Sequence, residues 1–118
     1  MADHLPKFLP GASVTFTADG DVVSGQVAAV SGDRTVSTAG ASDIGIGTFA
    51  FSAADGNAVT VHVGALVDTA VAASTIAAGD EVGAAADGKV QTLAEGGARF
   101  GIALTSADAD GTVELARI

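Results

Sequence analysis

The side chains that could carry out chemistry in this sequence are two histidines, scattered serines and a set of aspartates. His4 and His62 do not show HxH or HExxH spacing, so a metal or acid–base site would have to be assembled by tertiary contact. Cysteine is absent, which excludes thiolate ligands and a cysteine nucleophile. No GxSxG elbow presents a serine nucleophile. The sequence therefore predicts no enzyme, with a hydrolase using Asp68 and His62 as the catalytic alternative.

Two glycine-rich segments match parts of nucleotide-binding motifs. Residues 83–89 (GAAADGK) match the first part of a P-loop, but Val90 stands where the Mg²⁺-binding Ser or Thr belongs. The residues that follow are typical of a strand, whereas a P-loop opens a helix. Residues 45–50 (GIGTFA) match a variant dinucleotide fingerprint, and no helix pattern follows them either. We predict a hairpin turn at the first segment, a chance match at the second, and no cofactor.

Closely spaced aspartates could bind a hard cation. Asp19 and Asp21 form one pair, and Asp108 and Asp110 form another. Calcium favours alternating aspartates in turns, but neither pair is continued by the further ligands of a calcium loop. The expectation is solvated turn residues and no metal.

The charge balance limits the partners. Lys and Arg number 5 against 14 Asp and Glu, so the formal net charge is −9. This charge argues against nucleic acid or an anionic membrane as the partner. No uncharged apolar run approaches the roughly 18 residues of a membrane span, and no secretion signal is recognisable. We expect a protein made in the cytoplasm.

The elements that must position these residues are short strands. The 16 scattered glycines disfavour long helices, and three segments instead alternate apolar and other residues. Each segment predicts one apolar face: Val14 and Phe16; Val59, Val61 and Val63, with His62 on the opposite face; and Phe100, Ile102 and Leu104. About eight to nine such strands predict an all-β protein, a small antiparallel barrel or sandwich.

Turn signals support this interpretation. Ala-Asp-Gly occurs four times, centred on Asp19, Asp55, Asp87 and Asp110, and each copy precedes a strand-like segment. Asp-Gly supplies the positive φ values of tight hairpins. The copies are unevenly spaced, which indicates turn chemistry rather than a solenoid repeat. A phase change between Ile46 and Phe49 predicts a bulge or bend near Gly47. The segment 69–78 suits either a short helical turn or a strand.

The N-terminal segment differs from the rest. Residues 1–10 place Leu5, Phe8 and Leu9 among prolines, so this stretch should run extended, as an arm outside a single β-barrel domain at 11–118. Such an arm packs on its own barrel or on another chain. His62 is predicted to be a surface or subunit-contact residue. The core is rich in alanine and therefore thin, so contacts between copies would help to stabilise it.

From about Pro10 to Ile118 the chain resembles the small all-β head decoration, or capsid cement, proteins of tailed bacteriophages. The resemblance rests on the order of short motifs: Pro10-Gly11 before a strand, Val63-Gly64, IAAGDEV at 76–82, DGKV at 87–90, GIAL at 101–104, and Asp110-Gly111 before the last strand.

The resemblance implies a structural protein of the virion. It implies a barrel that forms a homotrimer, or otherwise clusters, on the outer capsid surface, binds the major capsid protein, stabilises the shell and has no catalytic residues. Contact with capsid or a neighbouring subunit is expected at Leu5, Phe8 and Leu9, from the apolar arm outside the resembling region, and at His62. The alternative is a small β-barrel module that binds carbohydrate or another soluble ligand.

Overall fold

The computed structural model describes residues 11–117, and this range is built of strands and turns. It contains ten strands, where the sequence predicted eight to nine, and one 3-10 turn at Ala86–Gly88. The strands are β1 Ser13–Ala18, β2 Val27–Gly32, β3 Thr35–Thr38, β4 Gly47–Phe49, β5 Ala58–Val63, β6 Val67–Val71, β7 Glu81–Ala84, β8 Val90–Thr92, β9 Arg99–Ala103 and β10 Thr112–Arg117. The all-β prediction is confirmed.

The first five strands form a closed barrel in the order β1-β3-β2-β4-β5, with β5 pairing back to β1. Four of the five pairings are antiparallel, and β1 with β3 is parallel. The prediction of an antiparallel barrel therefore fails at this pair. The reason is geometric, since strand directions cannot alternate all the way round a ring of five.

The last five strands form a second sheet in the order β6-β10-β9-β7-β8. All of its ladders are antiparallel. Its two ends meet at one point, where Ala72 and Val90 form an isolated parallel bridge. The second sheet therefore curls almost to closure.

The two sheets repeat one plan. Ile76 lies 54 residues after Val22, and Ala107 lies 54 residues after Ala53; both pairs form an antiparallel bridge. The same offset relates the β1–β3 pair Ala18–Val36 to the bridge Ala72–Val90. It also relates every β4–β5 pair to a β9–β10 pair. We call residues 11–63 the first half and residues 65–117 the second half.

The sequence analysis did not detect this 54-residue repeat of the fold. The Ala-Asp-Gly triplets do not mark it, because structurally equivalent turns carry different residues. Gly56 and Asp110 are equivalent positions, with φ of +82° and +65°. The glycine of one triplet therefore corresponds to the aspartate of the other, and the two triplets are offset by one residue in equivalent turns. Few side chains are retained elsewhere, and the repeat lies mainly in the backbone hydrogen bonds.

The core has two parts that follow the repeat. Inside the barrel lie Ala18, Val22, Ala28, Val36, Phe49, Val59 and Val61. The second core contains their seven equivalents, Ala72, Ile76, Val82, Val90, Ala103, Val113 and Leu115. It also takes in Val27, Ala29 and Ala39 from the first half. The first three residues of β2 are thus buried on both faces of the strand, and the second core is shared by both halves.

The structure also tests the sequence predictions for β9, for the chain near Gly47 and for residues 69–78. Phe100 is buried, but Leu104 is 45% exposed and Ala103 takes the buried position instead. The cause is a bulge, because Val82 pairs with Gly101 and Gly83 with Arg99, leaving Phe100 as an extra residue that reverses the alternation. The bulge predicted near Gly47 is absent, since pairing is regular from the first residue of β4. The segment 69–78 contains the end of β6 and no helical turn.

The predicted Asp-Gly hairpin at residues 83–89 is confirmed. Asp87 and Gly88 have φ of +61° and +71°, as a tight hairpin turn requires. The chain returns as β8, antiparallel to β7, so the partial P-loop match opens no helix.

Candidate interaction surfaces

The structure locates one of the four predicted contact residues. Leu5, Phe8 and Leu9 lie outside the described residues. His62 lies in β5 and is half-buried, and its Nδ1 is 3.0 Å from Ser13 Oγ on the paired strand.

Asp68 and His62, the pair for a possible hydrolase, have separate partners. Thr48 Oγ1 donates to the Asp68 carboxylate at 2.6 Å, and Arg117 Nη1 lies 3.2 Å from the same oxygen. The His62 ring instead faces Ser13. Asp68 therefore belongs to an ion pair that connects elements of the fold.

Arg117 is the centre of that ion pair, and sequence reasoning missed it. Its side chain is 4% exposed and donates to the carbonyls of His62 at 2.8 Å and Ile46 at 3.0 Å. Its guanidinium lies over the Phe100 ring, 5.2 Å from the centroid. Burial lowers the pKa of Arg117, and the hydrogen bond and charge of Asp68 oppose that shift. The arrangement joins β4 and β5 of the first half to β10 of the second.

The aspartate pairs serve turns. Asp21 accepts from the Asp55 amide at 3.0 Å, and Asp55 accepts from the Gly20 amide at 2.8 Å. Asp110 forms an ion pair with Lys89 at 2.8 Å. Within residues 11–117, no three or more His, Asp or Glu side chains are placed to share a metal ion. Over the same range, the structure has no helix of the length and apolarity that a membrane span needs.

Exposed large apolar side chains are the surface feature that the fold leaves unexplained. They are Val23, Val30, Ile44 and Phe51 in the first half and Val67, Val71 and Leu104 in the second. Single exposed apolar residues are normal, but neighbouring ones mark contact sites. An amide hydrogen bond from Ser24 to Ser52 Oγ at 3.0 Å connects the loops that carry Val23 and Phe51. These two side chains therefore lie at the same end of the barrel.

The second half serves as an internal control for these residues. The equivalents of Val23 and Phe51 are Ala77 and Thr105, on the same hydrogen-bond plan. Because that plan forms with small or polar side chains there, folding does not require a large apolar residue at either position. Val23 and Phe51, both about half exposed, are thus available for contact with a partner.

Grooves accompany the apolar residues. One of about 230 Å³ lies where the halves meet and is lined by Val23, Gln26, Val71 and Lys89 among others. Another of about 530 Å³ lies beside Val30, Ile44 and Ile46 on the first half. Neither groove has a cluster of titratable groups in its lining. The fold and surface define a small all-β protein that acts through contacts.

Comparison with known proteins identifies the family. The sequence profile of phage cement proteins matches residues 9–118. The N base of head fiber gp8.5 in bacteriophage phi29, known from a crystal structure, has a similar fold with a TM-score of 0.76. It is 23% identical in sequence, and the match covers 91% of this chain and 93% of that one. No curated protein matches the sequence.

The chain belongs to the phage cement protein family. Its role is structural, as a decoration component of the phage capsid. The resemblance found in the sequence is confirmed, and the carbohydrate-binding alternative is not favoured.

Proposed function

We propose that this protein binds the outer surface of the shell through the major capsid protein, as a homotrimer, and performs no catalysis. The observation that supports contact through the first half is the difference between equivalent positions. Val23 and Phe51 are large and half exposed where the second half has Ala77 and Thr105. An aromatic residue beside an aliphatic one is a typical centre of an interface.

The N-terminal arm is proposed as a second attachment. Gly11 lies beside Ala65, and the Ala12 carbonyl accepts from the Val63 amide at 3.0 Å, which places the start of the described chain at one end of β5. Ten extended residues span about 33 Å, enough to reach a neighbouring chain. Burial of Leu5, Phe8 and Leu9 there would contribute about 1.5–3 kcal/mol per side chain.

His62 is proposed as a contact residue of lesser weight. Its ring is half-buried and already faces Ser13, so a partner would cover only its remaining exposed part. The net charge of −9 should attract the protein to basic patches on the shell. Salt screens this attraction beyond a Debye length of roughly 10 Å at 0.1 M.

Co-sedimentation with phage heads that lack the protein tests shell binding. We expect the wild type to sediment with the heads, and Val23→Ala with Phe51→Ala to weaken retention by at least tenfold. Leu104→Ala is the matched control, because Leu104 is similarly exposed in the second half. Failure of the wild type to sediment would overturn the proposal, and equal retention of all variants would overturn the assignment to Val23 and Phe51.

Deletion of residues 2–9 tests the arm. We expect the truncated protein to melt like the full chain and to lose capsid retention. Unfolding on truncation would place the arm in the core of its own barrel, and normal decoration would show that it makes no essential contact.

Density on decorated heads tests the trimer. Three copies in contact on the shell are expected, whether or not they associate in solution. Isolated single copies on the shell, together with a monomeric mass in light scattering, would overturn the trimer.

A further inference from the structure

The two halves contact each other head to tail, through different surfaces. The first half contributes Gln26, Val27, Ala29, Thr38 and Ala39, which we call the receiving surface. The second half contributes Ala84, Gly88 and Phe100, which we call the inserting surface. Two hydrogen bonds fasten them, from the Gly88 amide to the Ala39 carbonyl at 2.9 Å and from the Ser42 amide to the Ala84 carbonyl at 3.1 Å.

The β7–β8 turn lies closely in the receiving surface. A Cβ placed on Gly88 would come within 2.6 Å of Gln26 Cβ and 2.9 Å of Thr38 Cγ2. The turn of one half thus sits between β2 and β3 of the other, and glycine is required at the point of closest approach.

Each half also has the surface that the other one uses, and within residues 11–117 these two counterparts do not contact each other. One of their residues, Ile46, packs on the first core and its carbonyl accepts from Arg117. On the first half the counterparts of Ala84, Gly88 and Phe100 are Val30, Arg34 and Ile46, the free inserting surface. Ala84 is 1% exposed, whereas Val30 is 58% exposed. The first half therefore presents an apolar residue at a position that the second half buries.

On the second half the counterparts of Gln26, Val27, Thr38 and Ala39 are Asp80, Glu81, Thr92 and Leu93, the free receiving surface. These four residues line an open groove of about 530 Å³, at whose margin Glu95 also lies. The groove occupies the place where, in the first half, the β7–β8 turn is seated.

The charges of the two free surfaces are complementary. Arg34 is the arginine of the first half and stands exposed at the tip of the β2–β3 turn, where it donates to the Thr15 carbonyl at 3.0 Å and lies over the Phe16 ring. The groove has the carboxylates of Asp80, Glu81 and Glu95 in its lining. Within the chain, the residues named at the corresponding contact are neutral, although Asp87 and Lys89 flank Gly88 in the turn.

We propose that copies of this chain join head to tail by repeating the contact between its two halves, with the β2–β3 turn of one copy seated in the Asp80–Thr92 groove of the next. This rests on the self-association in the proposed function and assigns its surfaces. Unlike surfaces in contact give a closed ring when the rotation closes. A trimer built this way contains six successive halves on one plan.

Disulfide trapping tests the contact, and the chain offers a clean background because it has no cysteine. The double variant carries Arg34→Cys and Thr92→Cys in one chain. Arg34 is equivalent to Gly88 and Thr92 to Thr38, and Gly88 and Thr38 are adjacent across the intrachain contact. We expect oxidation, on heads and in concentrated solution, to give linked dimers and trimers on a non-reducing gel. An equal mixture of the two single variants should stop at dimers.

Arg34→Cys with Thr69→Cys is the matched control, because Thr69 is also an exposed threonine of the second half but lies on β6 outside the groove. Linkage equal in the two double variants would overturn the proposal. So would linkage that appears only after residues 2–9 are deleted, since the arm would then occupy the free inserting surface of its own chain.

Charge variants without cysteine test the same contact independently of the cross-linking variants, which could fail to fold. In density on decorated heads, Arg34→Glu should lose the contact between neighbouring copies, Arg34→Lys should retain it, and Glu95→Lys should restore it in the Arg34→Glu background. No change with Arg34→Glu would overturn the proposal. Head binding without cross-linking would overturn this inference and leave the proposed binding to the shell intact. Cross-linking without head binding would overturn the proposed binding to the shell and leave the head-to-tail contact intact.

Discussion

The two halves of the molecule share their backbone hydrogen-bond pattern and differ in the side chains that pack inside each core. In the first half Phe49 occupies the centre of the barrel, and in the second half the equivalent residue is Ala103. Larger residues compensate elsewhere, because Ile76 and Leu115 replace Val22 and Val61. One strand plan therefore tolerates different distributions of side-chain volume, as expected when total volume is retained.

Closure differs as well. The first half closes with a β1–β3 ladder of two pairs, whereas the second closes with a single bridge at Ala72 and Val90. The second half is completed by Val27 and Ala29 from its neighbour. The first half is thus a barrel with a core of its own, and the second depends on the first.

The largest expected effect comes from removing the ring that distinguishes the first core. Phe49→Ala copies Ala103 of the second half without its compensation and should lower the free energy of unfolding by about 3–5 kcal/mol in denaturant titration. Adding Val22→Ile and Val61→Leu should recover part of the loss. A loss below about 1 kcal/mol would show that the two cores are interchangeable.

The next effect compares one arginine from each half, each placed over a phenylalanine ring. Arg117 is buried over Phe100, and Arg34 is exposed over Phe16, 5.4 Å from the centroid. Arg117→Met should cost about 3 kcal/mol, because Asp68 loses the charge that balances it in a partly buried site. Arg34→Met should cost less than about 1 kcal/mol.

A thermodynamic cycle distinguishes charge from packing in the Arg117 result. If the ion pair is responsible, Asp68→Asn should remove most of the penalty of Arg117→Met. Equal penalties with and without Asp68→Asn would assign the loss to packing on Phe100.

Equivalent glycines give an effect of intermediate size. A Cβ at Gly47 would collide with the His62 carbonyl oxygen, and one at Gly101 would lie 2.5 Å from the Ala116 carbonyl oxygen. Alanine at either position should destabilise by about 1–3 kcal/mol, more at Gly47, where the approach is closer. Gly32→Ala is the control, because its nearest neighbour would be 3.5 Å away. Thermal melting would contradict this account if all three variants matched the wild type.

The smallest effect concerns a surface ion pair present in the second half only. Lys89, through its hydrogen bond and its charge, lowers the pKa of Asp110, and Asp110 raises that of Lys89 in the same way. The equivalent residues of the first half are Thr35 and Gly56. In an NMR titration, Asp110 should titrate below the ordinary aspartate range and return to it in Lys89→Met.

The sign of the pH dependence follows from these directions. A lowered carboxyl pKa contributes stability above the unfolded-state pKa, and that contribution is lost as the pH falls through the folded value. Asp110 is exposed and Lys89 is partly exposed, so salt should weaken the shift. An unchanged Asp110 titration in Lys89→Met would remove the ion pair from the account.

Local patterns in the sequence were enough to predict the fold class and part of the site. Alternation in residues 58–63 predicted the buried valines of β5, and Asp87-Gly88 predicted a hairpin, because both signals act over a few neighbouring residues. The outward Leu104 was missed, since the bulge at Phe100 depends on pairing with β7. Arg117 was missed for the same reason, as its partners Ile46, His62 and Asp68 are distant in the chain.

Sequence by itself determined that this protein is acidic, all-β and similar to phage cement proteins, because composition, turn residues and motif order are local properties. The tertiary structure alone decided that ten strands repeat one plan and that the halves meet head to tail. Backbone hydrogen bonds carry the repeat, and they do not depend on side-chain identity. Val30 and Ala84 are both apolar residues in the sequence, and only packing leaves one exposed and buries the other.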